Sequence, residues 1–425
     1  MPMFRYIIRG GKTLSGEIPV RGAKNHVLKL FPASILSAGT ITITNVPHIE
    51  DILRASELLE HLGFEVKKRN DRVYKISPPS RITSSFLEED IAERIRASIL
   101  FVGPLLARTG RAQFPFPGGC VIGRRPIDLF LDGWMAMGAK VQMRGTLFDI
   151  RAAGLRGTDI TFRVVSHTAT ESLIMTAVLA KGRTVLRNAA LEPEVAALAK
   201  FLNACGAHIQ GAGSPTIIIE GTNGKLLKGG TARVIPDRIE TGSFAILGAL
   251  LGKKLRITDC NPKHVAVLLE HLRAAGVSVE EGEDWLEISK PPHLKAVSMR
   301  TREYPGFATD HQAPFVVFLT QARGNAMVFE TVFEGRLLYL EDLNRMGAHI
   351  IQCDLHRALI SGPTILHGRS MESPDLRAGM AFVIASLVAR GTSRIGNVYQ
   401  IDRGYENLDE RLRAVGADII REAYV

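Results

Sequence analysis

Six times along the chain an apolar stretch with helical spacing closes on a glycine and passes directly into an alternating, β-branched run. The phrases are LLEHLGFEV (58–66), WMAMGAKV (134–141), FLNACGAHI (201–209), HLRAAGVSV (271–279), LNRMGAHI (343–350) and RLRAVGADI (411–419). Their glycines, Gly63, Gly138, Gly206, Gly276, Gly347 and Gly416, stand about 70 residues apart, a period long enough for a whole supersecondary unit. Each phrase predicts an amphipathic helix, a C′ glycine able to take φ > 0, and then a strand. A second phrase precedes it in most units: LSAGTITITNV (36–46), LAKGRTVLRNA (179–189), LLGKKLRITDC (250–260) and LVARGTSRIGNV (387–398). Here an apolar helix stops at a glycine or a basic residue and period-two alternation follows. Each unit therefore reads helix–strand–helix–strand with further strands between. Six α/β units suggest two domains of three units, joined near RVIPDRIETG around Pro236. A solenoid is the alternative. These units are longer than usual solenoid repeats and diverge between helices, so two lobes with a cleft fit better.

The length of 425 residues with 46% apolar content supports two sizeable cores. The start, MPMFRYIIRGG, lacks the pattern of a signal peptide, and apolar runs such as Phe244–Leu251 and Met380–Ala389 are too short to span a bilayer. No membrane association and a cytoplasmic location are the expectation. Four scattered cysteines without CxxC spacing fit reduced thiols. A formal charge of +10 suggests an acidic partner, either a nucleic acid or a small polyanion. The basic residues form no run or tail and aromatics are only 6%, which argues against nucleic acid.

The common nucleotide and metal signatures are missing. GGKT at 10–13 mimics the end of a Walker A loop, but Tyr6 stands where its first glycine belongs and no strand long enough to launch it is evident, so it reads as a turn. His349, Cys353 and His356 in HIIQCDLH resemble metal ligands, yet on a strand His349 and Cys353 share a face while His356 points away, with no fourth ligand; no metal is expected. Cys205 and Cys260 sit in the repeat phrases and read as buried fillers.

Cys120 has unusual neighbours in FPGGCVIGRRPID. Gly118 and Gly119 permit a tight loop, the prolines oppose a helix, and Arg124 and Arg125 would stabilise a thiolate or hold an anion beside it. Local chemistry leaves two readings open, a functional thiol or a small residue packed in a glycine turn. Other polar residues also stand where the apolar pattern does not require them. Lys24 and Asn25 open an apolar run at a helix start, a natural anion site. Arg96, Arg336, Arg377, Arg403 and Asp310 lie at other unit junctions. Singly, each reads as a solvated charge or a cap. Together they suggest a polyanion site.

In order along the chain, RGAKN, RASILFVGPL, PGGCVIGRRPID, PDRIETG, PGFATDHQ, SPDLRAG and IDRGYE resemble the UDP-N-acetylglucosamine 1-carboxyvinyltransferase family of enolpyruvyl transferases. The resemblance implies a two-lobed inside-out α/β barrel, each lobe three βαβαββ repeats with pseudo-threefold symmetry. The implied lobes are 24–234, carrying the cysteine loop, and 1–23 plus 235–425, with the active site in the cleft between them. It implies transfer of the enolpyruvyl group of phosphoenolpyruvate to the 3′-hydroxyl of UDP-N-acetylglucosamine with release of phosphate. That is the first committed step of peptidoglycan synthesis, serving cell-wall growth, shape and division. No metal or organic cofactor and a monomer are implied. Carried onto this chain, Lys24, Arg125 and Arg403 hold the phosphate, Arg336 and Arg377 receive the carboxylate, and Arg96 completes the anion pocket. Cys120 is the loop thiol that donates a proton or forms an adduct, and the target of fosfomycin. Asp310 is the base at the sugar hydroxyl, Asn25 contacts the sugar or the tetrahedral intermediate, and the backbone of Arg125, Pro126, Ile127, Asp128 and Leu129 cradles the uracil.

The chain departs from the family's pattern in the implied nucleotide and closure shell. Leu100 stands where the family commonly has tryptophan, Phe130 where it has histidine, and Val164 where it often has lysine. Ser166-His167-Thr168-Ala169-Thr170 replaces SVGAT, and His167 would supply the lost basic contact to the diphosphate. These departures keep an enolpyruvyl transferase acting on another nucleotide alcohol, such as UMP, as the alternative. The related shikimate 3-phosphate enzymes lack the cysteine loop, and a non-catalytic or RNA-directed relative is opposed by Cys120, Asp310 and Lys24 together.

Overall fold

The computed structural model describes residues 3–118 and 125–424. These residues divide into two compact units. One comprises the chain up to Arg21 and from Pro236 onward, the other the described residues from Gly22 to Ile235.

The described residues form six sheets, three in each unit, and one pairing rule recurs. In the unit of Gly22–Ile235, Ile41–Thr44 pairs parallel with Gly230–Arg233 and antiparallel with Val73–Ser77, which pairs antiparallel with Glu65–Asn70. Arg183–Arg187 does the same with Asp159–Thr161, Thr216–Glu220 and His208–Gln210. The third sheet keeps the two antiparallel steps, Arg111–Pro115 to Leu147–Arg151 to Lys140–Arg144, and replaces the parallel strand by a single bridge from Phe86 to Gln113. The other unit repeats the rule three times. There Met3–Arg9 pairs with Thr392–Gly396 and Asp418–Tyr424, so the chain start is built into a sheet of the C-terminal residues.

Two kinds of helix feed these sheets. Helices such as Glu50–His61, Pro193–Ala204 and Ala266–Ala274 bury one face only. They end at the predicted glycines, all six of which have φ between 92° and 108°. A side chain there would meet its own carbonyl, so glycine sets the stop. The second kind is buried on nearly every side: Lys24–Ala33, Ile99–Thr109 and His167–Val178 in one unit, Arg238–Leu251, Thr309–Thr320 and Leu376–Val388 in the other. Helices that are apolar all round belong in a core, and each trio lies inside its own unit's hydrophobic cluster.

Some local expectations change. A seven-residue strand, Met3–Arg9, does precede GGKT, but the segment leads into a second strand, Leu14–Pro19, and not a helix; it is a turn for that reason. His349–Gln352 is a strand that ends before Cys353, so His349 and Cys353 do not share a strand face. Leu100 and Phe130 do not line an open shell. Their side chains are in the core, with Phe130 packed 6.0 Å from the Trp134 ring. Cys205 and Cys260 are buried fillers as expected, and burial pushes the Cys260 thiol up to about 12.

Two buried histidines make acid stability testable. His26 accepts the Ile235 N–H at Nδ1 (3.2 Å), and His311 Nε2 donates to the carbonyls of Arg238 and Ile239 (3.2 and 3.3 Å). Burial lowers both from 6.5 to about 4. Because the folded value is depressed, the unfolded chain takes up these protons first. Their stabilisation is intact above pH 6.5 and is lost as pH falls toward 4, by on the order of 3 kcal/mol per histidine. A thermal midpoint falling across that window, and flattened in His26→Asn, is expected; a flat profile in the parent protein would contradict neutral burial.

Candidate active site

Five of the polar residues singled out in the sequence lie at the starts of the buried helices. The reason is local. An apolar helix that enters a core needs its first turn at the surface of that core, where unpaired N–H groups and the positive end of the helix dipole favour anions. Lys24 and Asn25 open Lys24–Ala33, Arg96 lies in the short 3-10 turn before Ile99–Thr109, Asp310 is in the first turn of Thr309–Thr320, and Arg377 in that of Leu376–Val388.

In the unit that includes the C-terminal residues, three of these side chains meet. Arg336 Nη2 donates to Asp310 Oδ1 at 2.7 Å and Arg377 Nη2 to Oδ2 at 3.3 Å. Arg336 Nη1 also donates to the Thr309 carbonyl (3.1 Å), and Arg377 Nη1 to the Tyr405 hydroxyl (3.3 Å), itself 2.8 Å from Ser243 Oγ. Each guanidinium is thus fixed by a neutral partner while its other nitrogen grips the carboxylate. Burial alone would raise the Asp310 pKa. The charges of Arg377, Arg336 and Arg238 outweigh it and hold the carboxyl far below the usual range. Arg403, also buried, donates from Nη1 to Gln400 at 3.3 Å.

In the unit of Gly22–Ile235, a lysine at a helix start opposes the dipole, and Asp51 offsets it: Lys24 Nζ lies 2.7 Å from Asp51 Oδ2. Arg96 donates from Nη1 to the Pro117 carbonyl (3.0 Å) and from Nη2 to that of Arg125. One side chain therefore ties together the described residues on either side of the cysteine segment. Burial, then the positive charge of Arg125, lowers the Arg96 pKa to about 10, so this cation is under electrostatic pressure to meet an anion. Cys120 itself lies outside the described residues. Pro126 is exposed, the Ile127 side chain is buried, and Asp128 starts helix Asp128–Ala136, paired with Arg163; Leu129 is half-buried.

Sequence reasoning missed four residues. Asp51 and Tyr405 partner cations it had found. Lys29 and Glu171 form a buried ion pair, Nζ to Oε2 3.2 Å. Lys29 carried a signal: it is a charge inside an otherwise apolar helical run, VLKLF. Among the described residues, no group of three His, Cys, Asp or Glu side chains is arranged to hold a metal ion.

What can two guanidinium forks on one carboxylate do? They present paired donors that match a planar anion such as a carboxylate. Comparison with known proteins identifies the family. The chain is 42% identical over 419 residues, 99% of each sequence, to the UDP-N-acetylglucosamine 1-carboxyvinyltransferase of Halorhodospira halophila (strain DSM 244 / SL1). Among solved structures it resembles the enolpyruvyl transferase NikO from Streptomyces tendae (TM-score 0.89, 24% identity, all of both chains). EPSP synthase from Acinetobacter baumannii is also similar (TM-score 0.73, 18% identity, 99% of this chain and 100% of that one). These two likenesses show the fold, while the sequence profile described as EPSP synthase (3-phosphoshikimate 1-carboxyvinyltransferase) matches residues 8–412. With a profile match over most of its length and a relative so similar from end to end, the chain belongs to the EPSP synthase (3-phosphoshikimate 1-carboxyvinyltransferase) family of carboxyvinyl transferases.

Proposed function

We propose that this chain transfers the enolpyruvyl group of phosphoenolpyruvate to the 3′-hydroxyl of UDP-N-acetylglucosamine and releases phosphate, opening peptidoglycan synthesis as a cytoplasmic monomer. The observation that carries the donor half is the Arg336–Asp310–Arg377 grip, a carboxylate already seated between two fixed guanidiniums. The acceptor half rests on the end-to-end likeness to the Halorhodospira enzyme. The finer fold reading, an inside-out barrel of three βαβαββ repeats per lobe, is supported by the pairing rule that recurs in full in five of the six sheets and in part in the sixth.

In the reaction, the acceptor hydroxyl adds to C2 of phosphoenolpyruvate while a proton is delivered to C3. The resulting tetrahedral ketal then loses phosphate from C2 and a proton from C3, which restores the C2–C3 double bond and gives the enol ether. Lys24, Arg125 and Arg403 hold the phosphate, Arg336 and Arg377 take the carboxylate, Cys120 delivers the proton to C3, and Asp310 removes the proton of the hydroxyl. Asn25 contacts the sugar, and the backbone of Arg125–Leu129 receives the uracil.

Asp310 in its present pairing is a poor base, because two cations stabilise its ionised form. A substrate carboxylate that takes over Arg336 and Arg377 would release it. The base then gains strength only when the donor is bound, which ties deprotonation of the acceptor to the presence of its target.

The deciding experiment is phosphate release from phosphoenolpyruvate with UDP-N-acetylglucosamine, UMP or shikimate 3-phosphate as acceptor. Release with the UDP-sugar is expected. Release with UMP alone would transfer the assignment to a nucleotide enzyme of the same family, and release with shikimate 3-phosphate alone would overturn the role of the cysteine segment.

A further inference from the structure

In the unit of Gly22–Ile235, a buried polar cluster lies beneath the first turns of two helices, and the reaction outlined above does not use it. Glu171 is fully buried in helix His167–Val178. Its Oε2 faces Lys29 Nζ at 3.2 Å and His167 Nδ1 at 3.6 Å, and neither carboxylate oxygen has a conventional hydrogen bond. Glu171 is therefore held by charge alone. Lys29, 2% exposed, also donates from Nζ to the carbonyl of Asn25, one turn earlier in its own helix. His167 stands at the first position of the other helix, after the Ser166 cap, with its ring 42% exposed.

We propose that Glu171 is a positioning residue for acceptor binding: from one buried carboxylate it fixes Lys29 and His167, and so locks the first turns of helices Lys24–Ala33 and His167–Val178 in the register that presents Asn25. The inference rests on the reading that Asn25 meets the acceptor. Its physical basis is that burying this ion pair does not favour folding. Removing a carboxylate and an ammonium from water costs several kcal/mol each, and a well-packed apolar pair of the same size is commonly as stable or more so. What the pair supplies is direction. An ammonium shared between a carboxylate and a helix carbonyl has few alternative geometries, whereas an apolar pair would allow the first turn to slide.

The device is also sensitive to pH. The groups facing His167 are Glu171, Lys29 and Glu192. Burial would lower the imidazole pKa, but the neighbouring Glu171 carboxylate raises it, against the repulsion of Lys29. Below that raised pKa the carboxylate holds two cations; above it, only Lys29. Acceptor affinity should fall as pH rises through the His167 titration.

The test uses two variants, Glu171→Gln and the double variant Lys29→Met/Glu171→Met, assayed with whichever acceptor the parent protein uses, UDP-N-acetylglucosamine or UMP. In Glu171→Gln, the acceptor KM should rise tenfold or more, with kcat and the phosphoenolpyruvate KM within threefold, and the His167 pKa read by NMR should fall. The double variant should melt no lower than the parent protein yet show the same rise in acceptor KM and lose its pH dependence. An unchanged acceptor KM in a folded double variant would overturn the proposal, and that variant decides the matter if Glu171→Gln fails to fold. A parent protein that uses neither acceptor defeats the functional reading instead, and an unshifted His167 in the variants then defeats the positioning role on its own.

Discussion

Asp310→Asn lowers turnover by about 10² to 10⁴ and, in the same protein, tightens the binding of phosphoenolpyruvate. The first effect follows from the role proposed for Asp310 as the group that takes the acceptor proton. The second follows from the geometry of the unliganded site: Asp310 occupies Arg336 and Arg377 at 2.7 and 3.3 Å, so an incoming carboxylate must displace it. Asparagine competes without charge and leaves both forks available. Calorimetry with phosphoenolpyruvate, alongside steady-state rates, separates the two effects. A variant that turns over normally removes Asp310 from the base role, and one that binds phosphoenolpyruvate more weakly removes the displacement step. Asp310 also neutralises two buried cations, so its loss destabilises by up to about 3 kcal/mol; its partial exposure keeps the figure at the low end for a broken buried pair. The pH profile gives a further check. The acid limb of kcat, which reports the loaded site, should lie at higher pH than that of kcat/KM, which reports the free protein.

Cys120→Asp should keep turnover within about tenfold while inhibition by fosfomycin weakens by more than 100-fold, since a carboxylic acid can still deliver a proton but is not alkylated as a thiolate is. The flanking architecture supports a functional thiol over a packed filler. Arg96 ties the carbonyls of Pro117 and Arg125 on either side of the segment, and burial first, then the charge of Arg125, lowers it to about 10. A neighbouring positive charge stabilises a thiolate and attracts an anionic substrate for the same reason. Inhibition progress curves on the parent protein and the variant measure the difference. Equal time-dependent inactivation of both would place the reactive group elsewhere.

The six glycine stops, the buried helices and the residues that open them could all be read in the sequence. A helix end is set within four or five residues, by a glycine that tolerates positive φ or by an apolar run that begins at a charge, so RGAKN and SPDLRAG announce their helices without help from the rest of the chain. Partnership between distant residues is a different matter. Asp310 and Arg377 are 67 residues apart, yet their ion pair turns a proposed base into a restrained one. Leu100 and Phe130 are isolated substitutions in a motif until the core encloses them. Lys29 and Glu171 are two misplaced charges until two helices bring them within 3.2 Å. Short-range sterics and periodicity act along the chain and are therefore written in it, whereas charge pairing and burial act through space, so the electrostatic state of each of these residues was decided only by the tertiary fold.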